Sequence, residues 1–252
     1  MHASLWKWLN LVAIIAVIAI NALANIIPFN GVTTGDVSAM YPVLITPATY
    51  AFTIWILIYT LLIGFALYQL LPRSETTVRA IGPLFVLSCL FNIAWIILWH
   101  YLYDQVWLSL IAMFGLFISL VFIYRSIRNH RYPTTGQKWL VQLPFSIYFG
   151  WVTVASIVNI AVALYAVGWD HFGWSEQAWT LALLAIGTFL AWVIGGPNRD
   201  AAFVLVFVWA YVAIAWNNKD LPAIFYTALG FSTLLAFLAI ALPFRPRKRN
   251  VN

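Results

Sequence analysis

Charge is what this chain lacks most: only 8% of its 252 residues are Asp, Glu, Lys or Arg, against roughly a quarter in an ordinary soluble domain. Seven acids and thirteen bases cannot coat a water-exposed globule, which needs about a quarter to a third of its surface charged. Lipid is therefore the expected solvent. Cysteine is nearly missing as well. Cys89 stands alone, so no disulfide can close within the chain and the paired-cysteine metal spacings are absent. No Asp, Glu, Lys, Arg or His falls in the middle of an apolar run, which argues against ion-coupled pumps, proton relays and voltage sensors. There is no phosphate-binding glycine loop, no Gly-x-Ser-x-Gly elbow and no His-rich or Asp-rich cluster. Nucleotide hydrolysis, serine-type acyl transfer and metal-dependent lipid chemistry thus lack their apparatus. His2, His130 and His171 are terminal or in connecting segments, and His100 sits at a span end. Each reads as an interfacial residue before it reads as a haem ligand.

What fills the chain instead is apolar, at 64% hydrophobic residues. A bilayer-spanning helix takes about 20 of them. Runs broken by Pro, Gly, Asn and the rare charges fall at 6–27, 48–71, 80–102, 107–128, 139–167, 178–195, 200–216 and 220–243. They predict an all-α, polytopic membrane bundle of about eight transmembrane helices. Pro28, Asn30 and Gly31 close the first run, Pro72 follows the second, Gly168 the fifth, and Gly195, Gly196 and Pro197 the sixth. The runs are apolar on both faces, which suits helices and not the polar-in alternation of a membrane barrel.

Cytoplasmic segments carry the excess of Lys and Arg, so the thirteen bases test the span count. Eight spans put Lys7, Arg73, Arg79, Arg125, Arg128, Arg131, Lys138, Arg199, Arg245, Arg247, Lys248 and Arg249 on one side, and Lys219 alone on the other. Acids run the opposite way, with Asp36, Asp104, Asp170, Glu176 and Asp220 outside and Glu75 and Asp200 inside. A multi-pass cell-membrane protein with both termini cytoplasmic is expected. The net charge of +6 is then an orientation code, and no nucleic-acid partner is called for. Lys7, the apolar stretch after it and Ala22-Leu23-Ala24 also resemble a secretory signal with its cleavage site. The apolar region is over-long for a signal, which favours a retained span.

Fourteen tryptophans exceed what an interfacial belt needs. Trp6, Trp8, Trp107, Trp139, Trp169, Trp174, Trp179 and Trp216 lie at span ends or in connections, where belts form. Trp99 is near an end and ambiguous. Trp55, Trp95, Trp151, Trp192 and Trp209 fall inside spans and need another account. Helical spacing of four groups Asn21 with Asn25, Trp55 with Tyr59, Trp95 with Trp99, and Trp151 with Ala155 and Asn159. Asn92 precedes Trp95 by three. These faces are compatible with one cavity of indoles and amides, and equally with ordinary interhelical filler and glue.

Residues 46–59 read Thr-Pro-Ala-Thr-Tyr-Ala-Phe-Thr-Ile-Trp-Ile-Leu-Ile-Tyr, a proline-led stretch ending in Trp-x-x-x-Tyr. Asn92-Ile93-Ala94-Trp95 and Trp151-x-x-x-Ala155-x-x-x-Asn159 follow in later spans, with Pro144 upstream of the last. In this order the three motifs resemble the TspO/MBR family, the tryptophan-rich sensory proteins related to the peripheral benzodiazepine receptor. The resemblance covers residues 1–167 as a five-helix bundle. The chain resembles the longer bacterial members that carry extra helices, and residues 168–252 are then expected to be a three-helix extension with a basic cytoplasmic tail. The resemblance implies a pocket beneath the loop between the first two spans that binds porphyrins, sterol-like lipids and synthetic ligands. Carried over by motif, Trp55, Asn92, Trp95, Trp151, Ala155 and Asn159 face that pocket, Tyr59 closes the second-span motif, and Pro47 and Tyr50 stand at the mouth. Where the family commonly has Trp-x-Pro-Pro ahead of the second span, this chain has Leu44-Ile45-Thr46-Pro47.

The expectation is a non-enzymatic binding protein acting in sensing or transport of a flat hydrophobic ligand. No resident cofactor is required, and a porphyrin or haem-type molecule would be the ligand. An uncoupled small-solute carrier or channel completed by the last three helices is the alternative, and the resemblance also admits light-driven porphyrin degradation. The bilayer is the expected partner. Gly150, Ala155 and Ser156 offer a close-packing face, within the chain or in a homodimer.

Overall fold

The structure is a computed structural model that describes residues 3–128 and 133–244. His2, His130, Arg131 and the basic residues from 245 to 249 lie outside the described residues. The described residues hold helices and turns and no strand. The long helices are α1 (Ala3–Ile26), α3 (Thr49–Tyr68), α4 (Glu75–Tyr101), α5 (Tyr103–Arg128), α6 (Thr135–Ala166), α7 (Glu176–Asn198), α8 (Ala201–Asn217) and α9 (Pro222–Phe244). Between α1 and α3 lies a short helix, α2 (Thr34–Ala39). Seven of the long helices are long and apolar enough to cross a membrane, and α8 adds a shorter apolar one of 17 residues. This is the multi-pass, all-α membrane bundle that the apolar runs predict. Its outer surface carries Val12, Ile15, Ile56, Leu90, Ile111, Phe122, Phe237 and Ile240 exposed, as lipid-facing helices must.

Proline decides two local features. Pro144 has no N–H to offer the carbonyl one turn back, and the wide π turn Lys138–Gln142 lies immediately before it. Pro197 stands likewise after the π turn Ala191–Gly195. There α7 stops: Arg199 adopts a left-handed φ of 51°, and the Asp200 carboxylate accepts from Phe203 N at 3.2 Å to cap α8. Gly195, Gly196 and Pro197, which the sequence reads as the break after the sixth run, therefore stay helical at the end of α7, and the tight turn into α8 is made at Arg199 and Asp200.

Helix α4 packs between α1 and α5, while α6 touches α5, α3 and α8, and α8 carries α9, which in turn carries α7. A single apolar core includes Phe65, Phe85 and Phe145 from the first five long helices together with Phe203, Phe207 and Ile214 from α8. In lipid, helices associate through close packing and buried polar contacts more than through hydrophobic transfer. Gly150 supplies the first at the α6–α8 crossing, since a Cβ there would come within 3.1 Å of Val206 Cβ and 3.2 Å of the Phe203 carbonyl. Its smallness is used within the chain.

One of the buried polar contacts is at the end of the bundle where most of the bases lie. Arg128 of α5 pairs with Asp200, donates to Ser146 Oγ of α6 at 2.6 Å and lies 5.2 Å from the Tyr124 ring centre. Tyr124 Oη donates to the same Asp200 carboxylate at 2.9 Å. Asp200 is 3% exposed, so this cluster ties α5, α6 and α8 with a charge that needs its partner.

Candidate ligand cavity beneath the loop between α1 and α3

Trp55, Trp95 and Trp151 converge. They line one cavity, about 660 Å³ with the open solvent at its mouth included, together with Pro47, Asn92, Ala155 and Asn159. Seven of the nine residues singled out from the sequence thus share a single space. Tyr59 does not line it but stacks on Trp55 with ring centres 5.3 Å apart. Tyr50 points elsewhere: it is 39% exposed and meets Trp209 of α8 edge-on at 5.4 Å. The 3-10 turn Thr49–Thr53 that opens α3 advances about 120° per residue, and its registration leaves Phe52 in the cavity wall in place of Tyr50. The sequence reading also missed Thr34, Ser38, Met113 and Leu116, and left Trp99 unassigned, although all five line the space.

The aromatic side chains lining the cavity form two walls. In one, Trp151 is met edge-on by Trp55 at 6.4 Å and by Phe52 at 6.0 Å, both at 89°. In the other, Trp95 and Trp99 stack at 5.3 Å and 27°. These are the arrangements that ring quadrupoles favour. Amides fix the second wall and the depth of the site. Trp95 Nε1 donates to Asn159 Oδ1 at 2.9 Å, and Asn159 Nδ2 donates to Ser109 Oγ at 3.0 Å. Asn21 Nδ2 donates to Asn92 Oδ1 at 2.9 Å, and Asn92 Nδ2 donates to Tyr148 Oη at 3.2 Å. Each cavity amide uses its oxygen and one N–H in these bonds among the described residues, and carries a second N–H beyond them.

The mouth is held from two sides. Over it lies α2, begun by a reciprocal cap in which Asp36 N donates to Thr33 Oγ1 at 3.1 Å and Thr33 N donates to Asp36 Oδ2 at 2.8 Å. Those Thr33 bonds hold the Asp36 carboxyl below its ordinary range. Val37 seats α2 by packing with Trp99, Val106 and Val162. Thr34, which lines the cavity, accepts from Trp99 Nε1 through its carbonyl at 3.2 Å and bonds His100 Nε2 through its hydroxyl at 3.0 Å.

The second hold comes from the extension. Asn218 Nδ2 donates to the Leu44 carbonyl at 2.9 Å and Asn217 Nδ2 to the Thr46 carbonyl at 3.1 Å. Ala48 N donates to Ala213 O at 3.1 Å, and Trp209 Nε1 to Ala51 O at 3.0 Å. The strip around Pro47 is thus laced to α8 along its length. Among the described residues, however, α7, α8 and α9 contribute no side chain to the cavity lining. Trp209 has found its role in this lacing. Trp192 is 54% exposed on the outside of α7.

None of the lining residues is ionisable. Large indole faces, apolar filler and a few placed amide donors suit a flat, largely apolar guest that carries a few polar groups. Fold and site together define an all-α, multi-pass membrane protein with a tryptophan- and asparagine-lined cavity between its helices. The family model for TSPO-like proteins matches residues 7–241, and the chain belongs to that family. The match runs through α7, α8 and most of α9, beyond the five-helix portion that carries the motifs. No curated protein and no solved structure matches the chain.

Proposed function

We propose that the chain binds a flat, largely apolar ligand, a porphyrin or a sterol-like lipid, between its two tryptophan walls, and acts in sensing or transport of that ligand. The observation that carries this reading is the convergence of Trp55, Trp95 and Trp151 with Asn92 and Asn159 on one space. Stacking supplies contact area, and the spare amide N–H groups orient a carbonyl, hydroxyl or carboxylate on the guest. The reading is of binding without a chemical step. It places the termini in the cytoplasm, following the bases at their end of the bundle, so the mouth under α2 opens toward the outer face.

Ala155 offers a test that leaves every tryptophan in place. It lines the cavity from α6, one turn from both Trp151 and Asn159. Ala155→Phe should fill the space and weaken protoporphyrin binding by about tenfold or more, a loss of about 1.4 kcal/mol, with little change in the thermal unfolding midpoint. Unaltered affinity in a folded Ala155→Phe variant would place the ligand elsewhere.

A further inference from the structure

Away from the tryptophan cavity, a crevice opens at the same end of the bundle, about 310 Å³ with the open solvent at its mouth included, between α6, the start of α7 and the strip before α3. Its walls include Tyr165, His171, Glu176 and Trp179, and its apolar side is formed by Val43 and Leu44. Nothing in the proposed function uses these groups.

The aromatic walls are held in position. Trp169 packs edge-on against Trp179 at 4.8 Å and against His171 at 5.2 Å. The turn that delivers His171 keeps it and Phe172 at left-handed φ values of 56° and 57°, a conformation costing about 1–2 kcal/mol per non-glycine residue. Among the described residues no base pairs with Glu176, so its carboxylate remains available at the crevice. The surrounding end of the bundle carries Asp36, Asp104, Asp170 and Asp220 besides Glu176, against Lys219 alone. That surface draws cations.

One unpaired carboxylate beside indole and phenol rings, with aliphatic surface opposite, selects among cations. A primary ammonium or guanidinium would need several acceptors to replace its water. A methylated ammonium needs few, because its methyl groups rest on ring faces and aliphatic surface. We propose that this crevice binds a quaternary ammonium group, its charge toward Glu176 and its methyl groups against Trp179 and Tyr165. The group arrives either on a small solute or on a choline-type lipid headgroup.

Tetramethylammonium is the probe, followed by saturation-transfer NMR on the full chain in an uncharged maltoside detergent at pH 8, where an ordinary imidazole is neutral. Saturable transfer is expected, weakened about tenfold or more by Glu176→Gln and several-fold by Trp179→Leu, while the uncharged analogue 3,3-dimethylbutan-1-ol shows none. Glu176→Gln is nearly isosteric at an exposed position, so it keeps the test sound even where Trp179→Leu disturbs folding. Trp55→Phe should leave the transfer unchanged, which separates this site from the tryptophan cavity. Adding phosphatidylcholine assigns the source: displacement of the probe identifies a lipid headgroup, and persistence a free solute. Transfer that is non-saturable, shared by the uncharged analogue or indifferent to Glu176→Gln overturns the proposal.

Discussion

Replacing Arg128 by methionine should lower the stability of the detergent-solubilised chain by about 3 kcal/mol, read as an earlier thermal unfolding transition. Removing one member of a buried pair strands the other charge, at a cost of about 3–5 kcal/mol. The lower figure applies because the Arg128 side chain retains 18% exposure, which lets solvent take up part of the loss. Asp200 would be left 3% exposed with only Tyr124 Oη and Phe203 N as donors. Adding Asp200→Asn should recover most of the stability, since the amide oxygen can still cap α8 and no charge remains. If Arg128→Met alone unfolds no earlier than the parent, the cluster does not fasten α8 to α5 and α6 as its geometry indicates.

Trp151→Ala should cost a similar amount. The side chain is 2% exposed and in contact with Trp55 and Phe52, and truncating buried Trp or Phe costs about 3–5 kcal/mol in soluble cores. Here the low end applies, because the alternative environment is lipid and the loss is mostly of packing. Trp151→Phe, which keeps a ring against Trp55, should lose much less. Thermal unfolding of the two variants side by side checks this, and equal losses would show that a ring at this position contributes little to holding the wall.

The spans were legible because a bilayer demands long apolar runs and punishes irregular backbone within them. The same rule hid α2. Its Thr-Gly-Asp-Val-Ser-Ala sequence has no apolar period and is held by the Thr33–Asp36 cap and by Val37, so hydropathy passes over it. Sidedness was harder to read. Helices apolar on both faces do not announce which face turns inward, so Trp192 in mid-span could not be separated from Trp151, yet one faces outward and the other is buried. Met113 and Leu116 carried no signal to distinguish cavity lining from lipid contact. Trp99 did, by standing four residues after Trp95, a spacing that becomes a stacked pair.

Tyr50 shows where a motif transfers without its geometry. The preceding segment reads Leu44-Ile45-Thr46-Pro47, and its carbonyls are bonded by Asn217 and Asn218, which hold the strip against α8 and leave Tyr50 packed on Trp209. No local pattern in residues 44–50 announces a partner about 170 positions away in the chain. The extension therefore bears on the mouth of the cavity without entering it.

Titration of protoporphyrin into the purified full-length chain, read from the porphyrin's own absorption so that removing an indole does not alter the reporter, bears on the cavity itself. The parent should give a saturable shift, and Trp55→Phe and Trp151→Phe should each weaken binding by roughly 2- to 10-fold, matching the 0.5–1.5 kcal/mol of a well-placed aromatic contact. A saturable shift with the same midpoint in the parent and both variants would mean that the ligand does not lie between these tryptophans.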